Sequence, residues 1–248
     1  MGEDMLLKEV RGSVATLTLN RPAQANALNR DLYVRLKQEL DELQWDEQVR
    51  AVVIAGRGDK AFCAGIDLKA RAQKDKNEIL REREQVVRPF YLTLGNFPKP
   101  TIAAINGPAL GGGAELALTC DIRIACPAAR FGQTEIRWGM TPSCGACQRL
   151  RLITGMGLAK EIIMTGRVLE AEEALRLGIY NRLVSEKRLM EEASDLAQEI
   201  AHNPPIAVRQ AKKALDAGVN ISGALDFDFE ASKACFFSGD AFEGPKAF

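Results

Sequence analysis

Histidine is almost missing from this 248-residue sequence, and His202 is its only copy. A single imidazole argues against a Ser-His or Cys-His triad and against a histidine-built metal centre. There is also no excess charge of either sign. Lys and Arg number 33, as do Asp and Glu, for a formal net charge of zero. Chains that live on nucleic acid usually carry a basic excess, so no nucleic-acid partner is expected. Local basic residues can still hold an anionic small molecule. No apolar run approaches the roughly 18 residues of a membrane-spanning helix, so no membrane partner is expected either. The acidic start, Met1-Gly2-Glu3-Asp4, lacks the basic-then-apolar pattern of a secretory signal. Low-complexity tracts and internal repeats are absent as well.

What is present fits a folded enzyme-sized domain. The chain is 46% hydrophobic and 27% charged, enough apolar material for a sizeable core. Its cysteines at 63, 120, 126, 144, 147 and 235 sit in apolar or small-residue contexts. They read as reduced, mostly buried thiols and not as a disulfide framework. Cys144 and Cys147 have the spacing of a zinc half-site, but one pair does not complete such a site, so no metal is expected. These features suggest the cytoplasm, or an organelle matrix, whose mature proteins look the same.

Along the chain, Val14 to Leu19 alternates as a strand, with Ala15, Leu17 and Leu19 on one face. Asn29 is placed to cap a helix carrying Leu32, Leu36, Leu40 and Leu43. Ala51 to Ala55 is an apolar run suited to a strand buried on both faces. Strand, helix and buried strand predict a parallel sheet. The pattern repeats at Thr101 to Ile105, a helix from about Ala114 to Thr119, and a strand from Ile122 to Ala125. After about residue 155 the strand signals fade. Helices are expected at Leu158–Met164, Glu170–Leu177, Lys187–Ala201, Ile206–Ala217 and Ile221–Phe237. The stretch Arg81-Glu82-Arg83-Glu84 reads as a solvated helical face. The fold class is therefore α/β, with a core over residues 1–190 and a helical region over 191–248.

Three segments gather glycine beside functional groups. Ala61 to Lys69 follows the buried strand, and Gly65 allows backbone N–H groups there to turn outward. Gly111, Gly112 and Gly113 open the helix that carries Glu115, which frees N–H groups at its positive end for an anionic oxygen. The run is not a phosphate-binding P-loop, because no Lys-Ser or Lys-Thr follows the glycines, and it lacks dinucleotide-fold spacing. Glu135 lies among Phe131, Gly132, Ile136, Trp138 and Met140, where desolvation would raise its pKa.

Together these segments resemble the enoyl-CoA hydratase/isomerase (crotonase) superfamily over nearly the whole length. Leu19-Asn20-Arg21-Pro22, Asn26-Ala27-Leu28, Phe62 to Leu68, Gly111 to Glu115, Phe131 to Glu135, Gln148-Arg149-Leu150 and Ala171 to Gly178 all match landmarks of that family. The resemblance implies a crotonase-like spiral of repeated ββα units with a C-terminal α-helical trimerisation region, assembled as a homotrimer or a dimer of trimers.

It further implies an acyl-CoA substrate and no separate cofactor, coenzyme A being part of the substrate. The thioester oxygen would meet the backbone N–H groups of Ile66 and Gly112, donors worth roughly 3–4 kcal/mol each in comparable oxyanion holes. Ile66 is bulkier than the residue often found there, and its side chain is expected to reshape the acyl pocket. Glu115 and Glu135 are the expected catalytic pair, which orients a water over the C2=C3 bond. Glu115 would take the proton of the water and Glu135 would protonate C2. Substrate contacts are expected at Ala25, Ala27, Ala64, Ile66, Asp67, Leu68, Lys69, Gly111 and Gly112. The nearest rivals on the same fold are a carnitinyl-CoA dehydratase, a cyclic dienoyl-CoA hydratase and an enoyl-CoA isomerase; a non-catalytic RNA-binding relative is the rival from another class. Two intact carboxylates favour water chemistry.

Overall fold

The computed structural model describes residues 4–217 together with 229 and 233. Strands β1 (Leu6–Arg11) and β2 (Val14–Leu19) pair antiparallel, from Leu6 opposite Leu19 to Arg11 opposite Val14. β1 carries little apolar alternation because only Leu6 is buried along it. β2 shows the expected one, with Ala15, Leu17 and Leu19 inside. Helix α1 (Arg30–Leu43) begins where the Asn29 side chain accepts the Leu32 N–H at 3.0 Å. Its buried stripe contains Leu32, Leu36, Leu40 and Leu43, as the spacing predicts. Strand β3 (Ala51–Gly56) then lies parallel to β2, with Val14 opposite Ala51. Val52 and Ile54 enter one core cluster, while Ala51, Val53 and Ala55 enter another on the opposite face. The double burial of β3 follows from helices covering both faces.

A helical stretch follows: α2 (Leu68–Arg71), α3 (Lys76–Glu82), a π-helical turn over Arg83–Val87, and α4 (Arg88–Gly95). The expectation of a solvated face over residues 81–84 fails at Arg83, which is only 7% exposed. A π turn inserts one extra residue, so the polar phase read from a regular helix no longer applies beyond it. Next come β4 (Thr101–Ile105), the two-residue β5 (Ala109–Leu110), α5 (Gly112–Thr119), β6 (Ile122–Ala125) and β7 (Arg130–Gly132). Helix α5 starts at Gly112, two residues before the expected Ala114.

The remainder is largely helical, as expected: α6 (Ala146–Thr154), α7 (Met156–Thr165), β8 (Val168–Glu170), α8 (Ala171–Arg176), β9 (Arg182–Leu183), α9 (Leu189–His202) and α10 (Pro205–Ala217). β8 and β9 are strands that the fading signal past residue 155 missed, because two or three residues are too few to show a period. The main sheet runs β1-β2-β3-β4-β6-β9, parallel from β2 onward, and β5-β7-β8 form a small second sheet. Helix α9 runs through position 190 and buries Leu189, Ala193, Ala197 and Ala201 against one face of the main sheet. Three of these contacts are alanines, which allow close approach of helix and strand. The helix expected over Ile221–Phe237 lies outside the described residues, apart from Phe229 and Lys233. Among the described residues no helix is long and apolar enough to cross a membrane.

Candidate active site

Two backbone segments are fastened side by side at the start of α5. Cys63 bridges in parallel to Ala109, with Leu110 N–H donating to the Cys63 carbonyl at 3.0 Å. On its other side the same segment bridges to Leu28: Leu28 N–H donates to Gly65 O at 2.7 Å, and Asp67 N–H donates to Leu28 O at 3.0 Å. In that pattern Leu28 uses the groups on either side of Ile66, so the N–H of Ile66 itself points away from Leu28. Its nitrogen lies close to Gly112, 3.6 Å from where a Cβ on that residue would stand. Gly112 is the first residue of α5, where an N–H has no partner within the helix. Ile66 and Gly112 thus lie side by side, the latter at a helix N-terminus.

Glycine is required for this approach. Gly65 has φ of +94°, and a Cβ there would come within 2.6 Å of Leu110 O. The Tyr91 hydroxyl donates to Gly112 O at 2.8 Å and holds the first turn of α5 from the other side.

Glu115 stands one turn into α5 and is 3% exposed. The Cys144 backbone N–H donates to its Oε1 at 2.7 Å. Glu135 opens a 3-10 turn, is 7% exposed, and lies against the glycine run. A Cβ on Gly111 would be 3.3 Å from Glu135 Oε1. The buried Gln133 amide, in the orientation that satisfies both groups, donates to each Glu135 carboxylate oxygen at 3.2 Å. Burial raises the Glu135 carboxyl well above the usual carboxylate range and the Glu115 charge adds to this, while the Arg83 guanidinium pulls the other way. The Cys144 thiol is also pushed up, by burial first and then by Glu115, which keeps it protonated and poorly nucleophilic.

The four residues expected at the centre, Ile66, Gly112, Glu115 and Glu135, are therefore brought together. Most of the outer ones lie on two adjoining segments, 25–27 and 64–69. Ala25 has a left-handed backbone and accepts the Ala64 N–H at 3.0 Å, while Ala27 is buried beside it. Ala64 and Lys69 are exposed, and Leu68 packs partly buried beside Ile79 and Met140. The Asp67 carboxylate is engaged within the fold, pairing with Arg21 at 2.8 Å and capping α2 through the Ala70 N–H. Burial pushes that carboxyl up, but the Ala70 N–H and Arg21 outweigh it and hold it below the usual range. Gly111, with φ of +51°, supports Glu135. A large cavity of about 680 Å³ is lined at the C-terminal end of α5 by Leu118, Thr119 and Cys120, and contains neither glutamate. His202 lies exposed on α9.

Several contributors were not legible in the sequence. Gln133, the Tyr91 hydroxyl and the Cys144 N–H come from segments that meet only through tertiary packing.

The sequence profile of the Enoyl-CoA hydratase/isomerase family matches residues 9–248. The chain is 41% identical over 246 residues to the short-chain-enoyl-CoA hydratase of Clostridium acetobutylicum, covering 98% of this chain and 94% of that one. It is 37% identical to the crotonyl-CoA hydratase of Syntrophomonas wolfei subsp. wolfei, covering 100% of this chain and 96% of that one. The crystal structure of an enoyl-CoA hydratase from Bacillus anthracis superposes with a TM-score of 0.84 at 38% identity, over 94% of this chain and 90% of that one. The chain belongs to the enoyl-CoA hydratase/isomerase family.

Proposed function

We propose that reversible hydration of an enoyl-CoA thioester takes place between the Gly111–Gly113 run and the two buried carboxylates. The observation that carries this reading is the joint placement of Glu115 and Glu135. One stands a single turn beyond Gly112, and the other has its Oε1 against Gly111. The thioester oxygen accepts from the N–H groups of Ile66 and Gly112. As water adds to C3, electrons move through C2 onto that oxygen, and the helix end stabilises the charge. Glu115 takes a proton from the attacking water while its Oε1 stays fixed by the Cys144 N–H. Glu135, held in its protonated form by burial and by the neighbouring charge, delivers its proton to C2. Transfer of the proton now on Glu115 back to Glu135 resets the pair. Water addition to a conjugated thioester needs only these groups, so this reading invokes neither metal nor redox cofactor.

The coenzyme A portion would lie along the Ala25–Ala27 turn and the Ala64–Lys69 rim, with the exposed Lys69 near phosphate. The protein would assemble as a homotrimer or a dimer of trimers, in the cytoplasm or an organelle matrix, with acyl-CoA as its small-molecule partner. Incubation with crotonyl-CoA tests the reaction directly. The conjugated-thioester absorbance should fall as 3-hydroxybutyryl-CoA forms. Absence of turnover across short and medium enoyl-CoA esters would overturn the reading.

A further inference from the structure

The side chain of Arg149 reaches from α6 back to the loop that carries the Cys144 amide. Its Nη1 donates to the Cys144 carbonyl at 3.1 Å, and the Cys144 N–H donates to Glu115 Oε1 at 2.7 Å. Residue 144 is thus held from both ends, by the arginine on one side and the carboxylate on the other. Helix geometry does not fix it, because α6 begins at Ala146 and the intervening Gly145 turns with φ of +90°. Where the Glu115 carboxylate points therefore depends on a loop that Arg149 fastens.

Helix α6 itself disfavours a cation at this position. Arg149 is its fourth residue, the first turn holds no acid, and the positive end of a helix repels a positive charge. Burial draws the guanidinium below its usual range, and the Arg123 and Arg149 charges repel each other. The strongest influence in the other direction is the Glu115 charge. The fold nevertheless leaves room for this group. Gly95 ends α4 beside it, and a Cβ on Gly95 would stand 2.9 Å from Arg149 Nη2. A neutral amide could hold the Cys144 carbonyl without these costs, so the charge is the feature that needs a reason.

We propose that Arg149 is a positioning residue for the hydration step: it fixes residue 144, through which Glu115 is aimed, and supplies the positive charge that stabilises the Glu115 carboxylate. This rests on the hydratase reading above and deepens it. Arg149 acts through Cys144 and through its field, without touching the reacting carbons. Its loss therefore alters the proton chemistry of the site more than the binding of substrate, and the informative readouts are a pH profile and a split between kcat and KM.

Crotonyl-CoA kinetics and thermal melts on a small set of variants test this. Arg149→Gln keeps a donor for the Cys144 carbonyl and removes the charge. Its kcat should fall at least about tenfold, with KM changed by less than about threefold. The acid limb of its kcat/KM profile should move up by at least about half a pH unit, because a carboxylate that loses a neighbouring cation takes its proton sooner as pH falls. Arg149→Lys restores the charge, so the limb should return to its wild-type position. In a Glu115→Gln background, Arg149→Gln should slow the residual reaction by less than about threefold, since the group it positions is already disabled. Gly95→Ala removes no group of the site. Its methyl crowds Nη2, the far end of a flexible side chain, so Tm should stay near native while kcat falls at least about threefold. If Arg149→Gln does not fold, Gly95→Ala decides alone. A purely structural arginine would lower Tm, leave the acid limb in place and multiply with the loss of Glu115. That result, or wild-type kcat in a folded Arg149→Gln or Gly95→Ala protein, would overturn the inference and leave the hydratase reading standing. No turnover of any enoyl-CoA ester by the wild type would overturn the hydratase reading itself.

Discussion

The Cys144 backbone N–H donates to Glu115 Oε1 at 2.7 Å, tying a carboxylate on α5 to the loop that precedes α6. That bond holds one oxygen of Glu115 in place and leaves the carboxylate as the candidate base for water. Glu115→Gln retains an oxygen for the Cys144 N–H, so the site should keep its shape. The amide cannot accept a proton from water. Hydration of crotonyl-CoA should therefore slow by at least about 10²-fold in kcat, with little change in KM. Steady-state kinetics would check this, and a fully active variant would remove Glu115 from the mechanism.

Glu135 yields a paired prediction of lost activity and gained stability. Its carboxyl is raised well above the usual range by burial and by the Glu115 charge. The folded protein therefore holds this proton more tightly than the unfolded chain. The associated stability is fully present below the ordinary carboxylate pKa and is lost as pH rises through the raised value. Glu135→Gln cannot ionise and escapes that loss. Thermal melts should show the variant gaining on the wild type as pH rises above the ordinary carboxylate range. Its hydration rate should fall by at least about 10²-fold. A Tm difference independent of pH would contradict the shifted carboxyl.

How far the sequence reveals this site depends on where each contribution originates. Asn29 and the leucines of α1 are legible because cap and stripe lie in one segment. Gly112 and Glu115 are legible for the same reason, since glycine run and acid share one helix start. Glu135 is visible as an acid among apolar residues, but its contact with Gly111 is not, because that contact depends on β5 pairing with β7. Strands of two and three residues leave no periodic trace. Arg83 is misread as solvated because a π turn changes the helical phase just where its burial is decided. Gln133 and the Tyr91 hydroxyl look like ordinary polar residues until the chain folds.

Asn26 tests the turn on the proposed coenzyme A side. It is fully buried with φ of 55°, following Ala25 with φ of 50°. Its side chain accepts the Arg21 N–H at 3.0 Å and donates to the carbonyls of Arg57 at 3.0 Å and Ala61 at 2.9 Å. Asn26→Ala removes these bonds and keeps a side chain in the left-handed region, for an expected loss of about 2–4 kcal/mol. Asn26→Gly removes the same bonds but tolerates that backbone, so urea denaturation should place it between Ala and wild type. Equal losses would assign the whole effect to hydrogen bonding.

The adjacent glycines Gly112 and Gly113 should separate catalysis from folding. A Cβ on Gly113 would stand 2.1 Å from the Cys63 carbonyl oxygen, an impossible contact with backbone on an adjoining segment. Gly113→Ala must push α5 away from the Cys63 segment, and it should prevent folding or lower Tm severely. A Cβ on Gly112 meets only ordinary contacts, at 3.5 Å from the Tyr33 hydroxyl and 3.6 Å from Ile66 N. Gly112→Ala should therefore fold with a near-native Tm. Its methyl group would nevertheless project toward the spot proposed for the thioester oxygen, weakening stabilisation of the developing charge. Hydration should fall by about 10²–10³-fold, the scale of losing one oxyanion donor. Melting curves and crotonyl-CoA kinetics on the two variants would decide the matter. Native-like activity in a folded Gly112→Ala protein would place the oxyanion elsewhere.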